Sequence, residues 1–332
     1  MTRILLAAAT ALLISSASWA ADFKPAVVFD KGGKFDKSFN EGVWNGVRKF
    51  VDETGVEVLE YQVTNEAQRE QAMRQMVRRG ATVVLAVGFS QADAINAVAA
   101  DHPDRQFAII DVFWLDRPNL RQYAFKEHEG SYLVGVAAAL TSKTGKIGFV
   151  GGMDVPLIRK FACGYVQGAR EARSGIEVLR NMTGTTPAAW NDPAKGAELA
   201  RGQIDRGADI IYHAAGATGL GVIRAVADAG KLAIGVDSNQ NGLAPGHVLT
   251  SMLKRVDVAA YDVFDSARRD AWQSGVRVLG LAESGIGWSL DEHNEPLVTP
   301  AMKAAADEVA RQIVAGEIRV HDYVTEGDCP AK

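Results

Sequence analysis

Positive charge is outnumbered and forms no run in this 332-residue chain. Lys and Arg number 36 against 40 Asp and Glu, a formal net charge of -4, and no basic run breaks the balance. That argues against a nucleic-acid binder, which carries a basic patch. Cysteine is nearly absent, with only Cys163 and Cys329. Two cysteines make no zinc-type cluster. In an oxidising compartment they permit one disulfide, tying the C-terminal tail to a helix in the second half. Alternatively they are two unpaired thiols, Cys163 then being a small buried apolar residue. Catalytic signatures are missing as well: there is no G-x-S-x-G, no H-E-x-x-H and no P-loop. The six His are scattered, and only His213 falls at a strand end. Two carboxylates on opposite walls of a cleft can hydrolyse a glycoside, but nothing selects that over binding. The reading is a binding protein rather than an enzyme, with no cofactor and no metal called for.

Long apolar runs are also lacking beyond the N-terminus, where no segment approaches the ~20 residues of a membrane-spanning helix. The N-terminus itself reads as a secretory signal peptide over residues 1–20. Arg3 supplies the positive region, residues 4–14 the apolar one, and Ser18-Trp19-Ala20 a small-residue cleavage site. A membrane anchor is the competing reading, but the run is too short to cross the bilayer comfortably. No Cys stands near the cleavage site to accept a lipid. The expectation is an exported chain, freely diffusing in the periplasm.

What is present is a globular composition, 47% hydrophobic and 23% charged, in a length that suits two domains. The chain is organised around Val27-Val28-Phe29-Asp30-Lys31-Gly32-Gly33-Lys34-Phe35-Asp36-Lys37-Ser38-Phe39-Asn40-Glu41-Gly42. An apolar run ends in an acid, two glycines allow a tight turn, and Ser38 is placed to cap a helix running to about Asp52. Further strand-like runs cover 56–61, 83–87, 107–110, 147–150, 210–213 and 232–236. Helical segments such as 66–79 and 90–101 separate them. Such alternation argues for an α/β chain with doubly wound parallel sheets.

The plan occurs twice. Arg79-Gly80-Ala81-Thr82-Val83-Val84-Leu85-Ala86-Val87-Gly88 matches Arg206-Gly207-Ala208-Asp209-Ile210-Ile211-Tyr212-His213-Ala214-Ala215-Gly216, with one residue more in the second copy. Ile109-Ile110-Asp111 matches Gly235-Val236-Asp237, and Phe39-x-x-Gly42-x-x-x-Gly46 matches Phe161-x-x-Gly164-x-x-x-Gly168. These glycines share one helix face and are expected to bring helix close to sheet. Three matches in order imply two homologous lobes: 21–126 with about 248–282, and 127–247 with about 283–332. Several short crossovers fit better than a single tether.

Two such lobes set the carboxyl ends of both sheets around one cleft, a preferred place for a small ligand. Asp30, Asp111 and Asp237 fall at those ends. Carboxylates only accept, so they call for a donor-rich ligand such as a sugar or a purine. Phe39, Tyr212 and Trp114 are candidates for stacking. Each Asp also reads as a turn or cap residue, and Phe39 as core. Gly216-Ala217-Thr218-Gly219-Leu220-Gly221 opens a helix, but its order, G-x-x-G-x-G, is not the dinucleotide fingerprint. It reads as a turn that lets a ligand approach backbone N–H groups.

The opening Asp30-x-Gly-Gly-x-x-Asp36-x-Ser38-Phe39-Asn40 resembles the signature of the basic membrane protein family, the PnrA-like nucleoside-binding proteins of bacterial ABC importers. Phe107-Ala108-Ile109-Ile110-Asp111, Ala214-Ala215-Gly216-x-x-Gly219-x-Gly221, Gly235-Val236-Asp237-Ser238 and Thr250-Ser251-Met252-Leu253-Lys254 look like its later motifs. The resemblance implies a type I periplasmic-binding-protein fold that closes on a purine nucleoside. Phe39 would stack on the base, and Asp30, Asn40 and Asp111 would meet its polar edges or nearby groups. Asp237 would accept from the ribose, with Lys254 beside it. The family's second stacking ring, usually Phe, would lie near Tyr212 or His213, where this sequence has no Phe. The implied partners are the small-molecule ligand and a membrane permease, with no nucleic acid. A monomer is the usual state for this fold. Many members are lipoproteins, and the missing Cys sets this chain apart. Free purine bases, another heterocycle such as riboflavin, hydrolysis of a nucleoside, and ligand sensing through a membrane receptor are the competing functions.

Overall fold

The computed structural model describes residues 23–330; the expected signal peptide lies outside them. The chain opens with β1 (Pro25–Phe29), wholly buried, as an apolar run in a parallel sheet requires. It continues through α1 (Phe39–Thr54), β2 (Leu59–Gln62), α2 (Gln68–Arg78), β3 (Val83–Ala86), α3 (Ala92–Asp101), β4 (Gln106–Ile110) and β5 (Leu120–Phe125). The second half follows the same plan. It runs α4 (Glu127–Thr141), β6 (Lys146–Met153), α5 (Pro156–Ala172), β7 (Glu177–Gly184), α6 (Pro193–Asp205), β8 (Ile210–Ala214), α7 (Thr218–Asp228), β9 (Leu232–Asp237) and β10 (Val248–Lys254). The chain ends with α8 (Val256–Arg268), β11 (Gly275–Leu279), β12 (Ile286–Trp288), α9 (Pro300–Val314) and α10 (Tyr323–Glu326).

Two six-stranded sheets result, ordered β11-β5-β4-β3-β1-β2 and β12-β10-β9-β8-β6-β7. Apart from antiparallel β12, every pairing is parallel. Position for position the orders are the same doubly wound arrangement, so the sequence repeat is a structural repeat. All seven expected strands occur. β5 and β10 escaped a search for apolar runs because they bury polar side chains. Arg121 in β5 is fully enclosed, 3.1 Å from Asp262 and donating to Ser266 at 2.8 Å. Thr250 and Ser251 in β10 donate to the Ser289 carbonyl at 2.8 Å and to Asn241 at 2.9 Å.

The chain passes between the sheets three times: at Lys126 between β5 and α4, at Arg255 between β10 and α8, and between β11 and β12. This moves one expected boundary. The expected first lobe takes in residues from about 248, but β10 pairs with β9 from Val248↔Ala233 to Leu253↔Asp237 and belongs to the second sheet. The return to the first lobe comes only after Lys254.

The four-residue glycine spacing serves helix against helix, not helix against sheet. A Cβ on Gly46 of α1 would lie 2.0 Å from the Asp257 carbonyl oxygen of α8. On Gly168 of α5 it would lie 2.0 Å from the Tyr132 oxygen of α4. The two pairs, α1 with α8 and α5 with α4, are equivalent under the repeat, and each includes a helix that has just crossed from the other sheet. One hydrophobic cluster runs through both pairs, from Val27 and Phe50 to Phe149 and Tyr165.

We predict that Gly168→Ala lowers stability by about 2–3 kcal/mol, since a methyl group there meets backbone that cannot yield. Gly202→Ala, on α6 with nothing within 4 Å, should instead be neutral or gain about 0.5–1 kcal/mol. Urea unfolding of both variants checks this, and equal midpoints would show that the helix contact is not tight.

Candidate functional site

The carboxyl ends of both sheets face one cleft, lined by residues of both lobes. The turn after β1 enters it. Gly32 and Gly33 take φ of 116° and 87°, as the tight turn requires. Ser38 stands at the N-cap of α1 as expected, but its side chain does not cap. Asp36 does so instead, accepting from the backbone N–H groups of Ser38, Asn40 and Glu41 at 2.9, 3.0 and 3.1 Å. It also accepts from the Asn40 side-chain amide at 3.0 Å. That bond aims the Asn40 amide, whose Oδ1 is buried with no partner among the described residues.

Freed from capping, Ser38 reaches from the first lobe to the second. Its hydroxyl donates to Asp237 Oδ2 at 2.6 Å, and its carbonyl accepts from Ser238 Oγ at 2.7 Å. Gln240 Nε2 donates to the Lys37 carbonyl at 2.9 Å. These bonds clasp the second lobe to the first.

Asp111 and Asp237 hold equivalent places at the ends of β4 and β9. Both take left-handed backbone, φ 68° and 65°, unusual for residues other than glycine. Lys254, at the end of β10, is 2% exposed. Its ammonium lies 2.6 Å from Asp111 and 2.9 Å from Glu127, and within 5.2 Å of the Phe39 ring centre. Burial alone would lower the Lys254 pKa, but Asp111, Glu127 and Asp237 together hold it above its usual value. Burial pushes Asp111 and Asp237 up to about 6, against the pull of Lys254. Burial also opposes ionisation of Glu127, yet Lys160 and Lys254 overcome it and hold that carboxyl down at about 2.

Of the expected residues, Asp30, Phe39, Asn40, Asp111, Gly216, Asp237 and Lys254 all line the cleft. Asp30 is already engaged, accepting from Arg69 at 3.1 and 3.3 Å and from the Ser90 hydroxyl. Tyr212 and His213 do not line it. Tyr212 is sealed in the core against Phe149 and Tyr165, with its hydroxyl 3.3 Å from Ser131. His213 lies behind the wall, 2.9 Å from Gln240 Oε1, and burial lowers its pKa to about 4. It steadies the clasp through Gln240. Trp114 misses the cleft too and lines an adjoining apolar recess that shares Phe89, Asp111 and Leu157 with it.

Sequence reasoning missed three aromatic linings, Phe89, Phe161 and Trp190, and the buried Glu127. Trp190 is the second lobe's large ring. It lies against Gly152, where a Cβ would come within 2.2 Å of the indole, and beside Gly216. Phe39 lies in the same way beside Gly88 of the first lobe. Phe161 was in view as the repeat partner of Phe39, which was the available signal. Trp190 comes from the connection between β7 and α6, which is longer than its first-half counterpart between β2 and α2, and that counterpart holds no aromatic, so the repeat gives no pointer to it.

The family model described as ABC transporter substrate-binding protein PnrA-like matches residues 23–323. The chain belongs to this family. Bmp-family relatives include a Listeria monocytogenes protein named CD4+ T-cell-stimulating antigen, 34% identical over 90% of this chain and 88% of its own. A Lactococcus lactis relative named ABC transporter nucleoside-binding protein BmpA is 31% identical over 90% and 89%. A Pyrococcus furiosus relative is named a lipoprotein, at 34% identity over 81% and 70%. Among solved structures, an ABC transporter solute-binding protein of Aeropyrum pernix superposes with a TM-score of 0.82 at 27% identity, covering 90% of this chain and 92% of that one. The lobes are thus those of a type I solute-binding fold, and the family is one of extracytoplasmic substrate-binding proteins rather than enzymes. The cleft is accordingly its candidate substrate site, and an ABC permease is the implied partner.

The raised carboxylates make stability pH-dependent. A group whose folded pKa lies above its unfolded one contributes stability that is complete below the unfolded value, near 3.8 here, and lost as pH rises through about 6. We therefore predict that Asp237→Asn gains stability relative to the parent by about 1–3 kcal/mol between pH 4 and 7. Thermal unfolding across that range measures it, and a difference that stays constant with pH would show that Asp237 is not raised.

Proposed function

We propose that this Bmp-family protein captures purine nucleosides in the periplasm by closing its lobes on them and delivers them to an ABC permease. The observation that carries the reading is the pairing, in one cleft, of facing-lobe aromatics with dehydrated acceptors. Phe39 and Trp190 come from different lobes and supply two ring faces for a heterocycle. Asn40 Oδ1 offers a buried acceptor for a base N–H. Asp237, neutralised in part by Lys254, offers an acceptor for ribose hydroxyls, and Asp111 accepts from a neighbouring group. Gly216, at φ 56°, brings backbone close to the ligand. Asp30 acts indirectly here, its charge being absorbed by Arg69. The Lactococcus relative is named a nucleoside-binding protein, which supports the ligand class. The clasp at Ser38 gives closure a structural basis, and ligand drives it only through tighter binding to the closed form.

The first experiment is native mass spectrometry of purified protein, followed by denaturing release of what it carries. A nucleoside mass supports the reading. A free base or flavin moves it to heterocycle uptake, and base and ribose appearing together on incubation would mean hydrolysis. In calorimetry, Asp237→Ala should weaken nucleoside binding by about tenfold or more. Ser38→Ala, which loses only the clasp hydrogen bond, should cost less; an equal loss would mean that Asp237 acts through the clasp. Phe39→Ala and Trp190→Ala should each cost about 1–3 kcal/mol with a purine ligand and little with a sugar. Equal losses with both ligands would argue against stacking.

A further inference from the structure

Glu127, Lys160, the C-terminal residues and the two cysteines have no part in the function proposed above, yet they lie on one path that ends in the cleft. Residues 319–330 form a strap along α5. Cys163 and Cys329 are disulfide-bonded, joining the strap's end to that helix. Gln167 of α5 accepts from the His321 N–H at 2.9 Å and donates to the His321 carbonyl at 3.2 Å. Arg159 donates to the Tyr323 hydroxyl at 3.1 Å. Held this way, the Asp322 carboxylate stands 3.8 Å from the Lys160 ammonium and 4.0 Å from His128 Nδ1. Lys160 in turn lies 2.8 Å from one oxygen of Glu127 and donates to the Phe125 carbonyl at 2.7 Å. The other Glu127 oxygen lies 2.9 Å from Lys254, which meets Asp111 at 2.6 Å in the cleft.

Acid and base thus alternate from the strap to the substrate site: Asp322, Lys160, Glu127, Lys254, Asp111. The side chains of Lys160, Glu127 and Lys254 are 8%, 1% and 2% exposed. Water screens such a chain poorly, so each ion's place depends on its counterions. Without Asp322, Lys160 answers to Glu127 alone and draws it away from Lys254. We infer that Glu127, Lys160 and Asp322 are positioning residues for Lys254, and that the Cys163–Cys329 disulfide, by holding the strap, sets the affinity of the cleft. The inference rests on the reading of that cleft as the ligand site.

Loss of the disulfide also lowers stability by freeing the unfolded chain, so the test needs readouts that stability alone does not move. Two variants of the full chain serve: the pair Cys163→Ser with Cys329→Ser, and Asp322→Asn, which keeps shape and removes charge. Calorimetry with inosine and guanosine is run below both melting temperatures. In ligand-free protein, trace acetylation of Lys254 by acetic anhydride is followed by peptide mass spectrometry. Both variants should bind about three- to tenfold more weakly and acetylate faster at Lys254, and Asp322→Glu should restore both properties. Unchanged affinity and unchanged labelling, even with a lowered melting temperature, overturn the inference. If the parent binds neither nucleoside, the nucleoside reading fails while the labelling still decides whether the strap positions Lys254. If the cysteine variant does not fold, Asp322→Asn decides alone.

Discussion

A dehydrated lysine governs the arrangement of this protein. Lys254 ends the last parallel strand of the second sheet and has almost no contact with water. Removing an ammonium from water costs several kcal/mol unless charge is returned to it. Asp111, which supplies part of that charge, belongs to the first sheet. The two lobes are therefore held at a separation that keeps Asp111 within reach of Lys254. Glu127 lies at the first crossover and Lys254 just before the second, so the same ion pair stiffens the chain where it passes between lobes.

The clasp at Ser38 works alongside this pair and follows from a division of labour in the opening turn. Because Asp36 satisfies the first N–H groups of α1, the Ser38 hydroxyl is released to meet Asp237. Burial then raises Asp237 and Asp111 together. An acceptor held at such cost interacts strongly with any donor brought to it, because little water competes. Both aspartates adopt left-handed backbone where their strands end, and strain of that kind collects at functional sites.

Much of this was legible in the residues. The apolar runs at β1, β3, β4, β8 and β9 have no other use than buried parallel strands. Their order repeats, so two lobes and a shared cleft followed, and with them Asp30, Asp111 and Asp237 at the strand ends and Phe39 at the start of α1. The later family motif brought Lys254. What stayed hidden has physical causes. Arg121, Thr250 and Ser251 are buried polar residues whose partners are remote in sequence, so β5 and β10 lack an apolar signature. Tyr212 and His213 sit at the right strand end, but the pleat turns Tyr212 into the core and packs His213 behind the cleft wall.

The sequence by itself determined the doubly wound α/β class, the duplication, the family and the set of strand-end carboxylates. All of these depend on local periodicity and on residues close together in the chain. Tertiary structure alone decided which aromatics line the cleft, which carboxylates are already neutralised, and where the chain crosses between lobes. It also decided that glycine faces join helix to helix and that the cysteines pair. These depend on contacts between segments as far apart as Ser38 and Asp237, or Cys163 and Cys329. Such contacts form only when folding brings the segments together and leaves their polar groups no partner but one another.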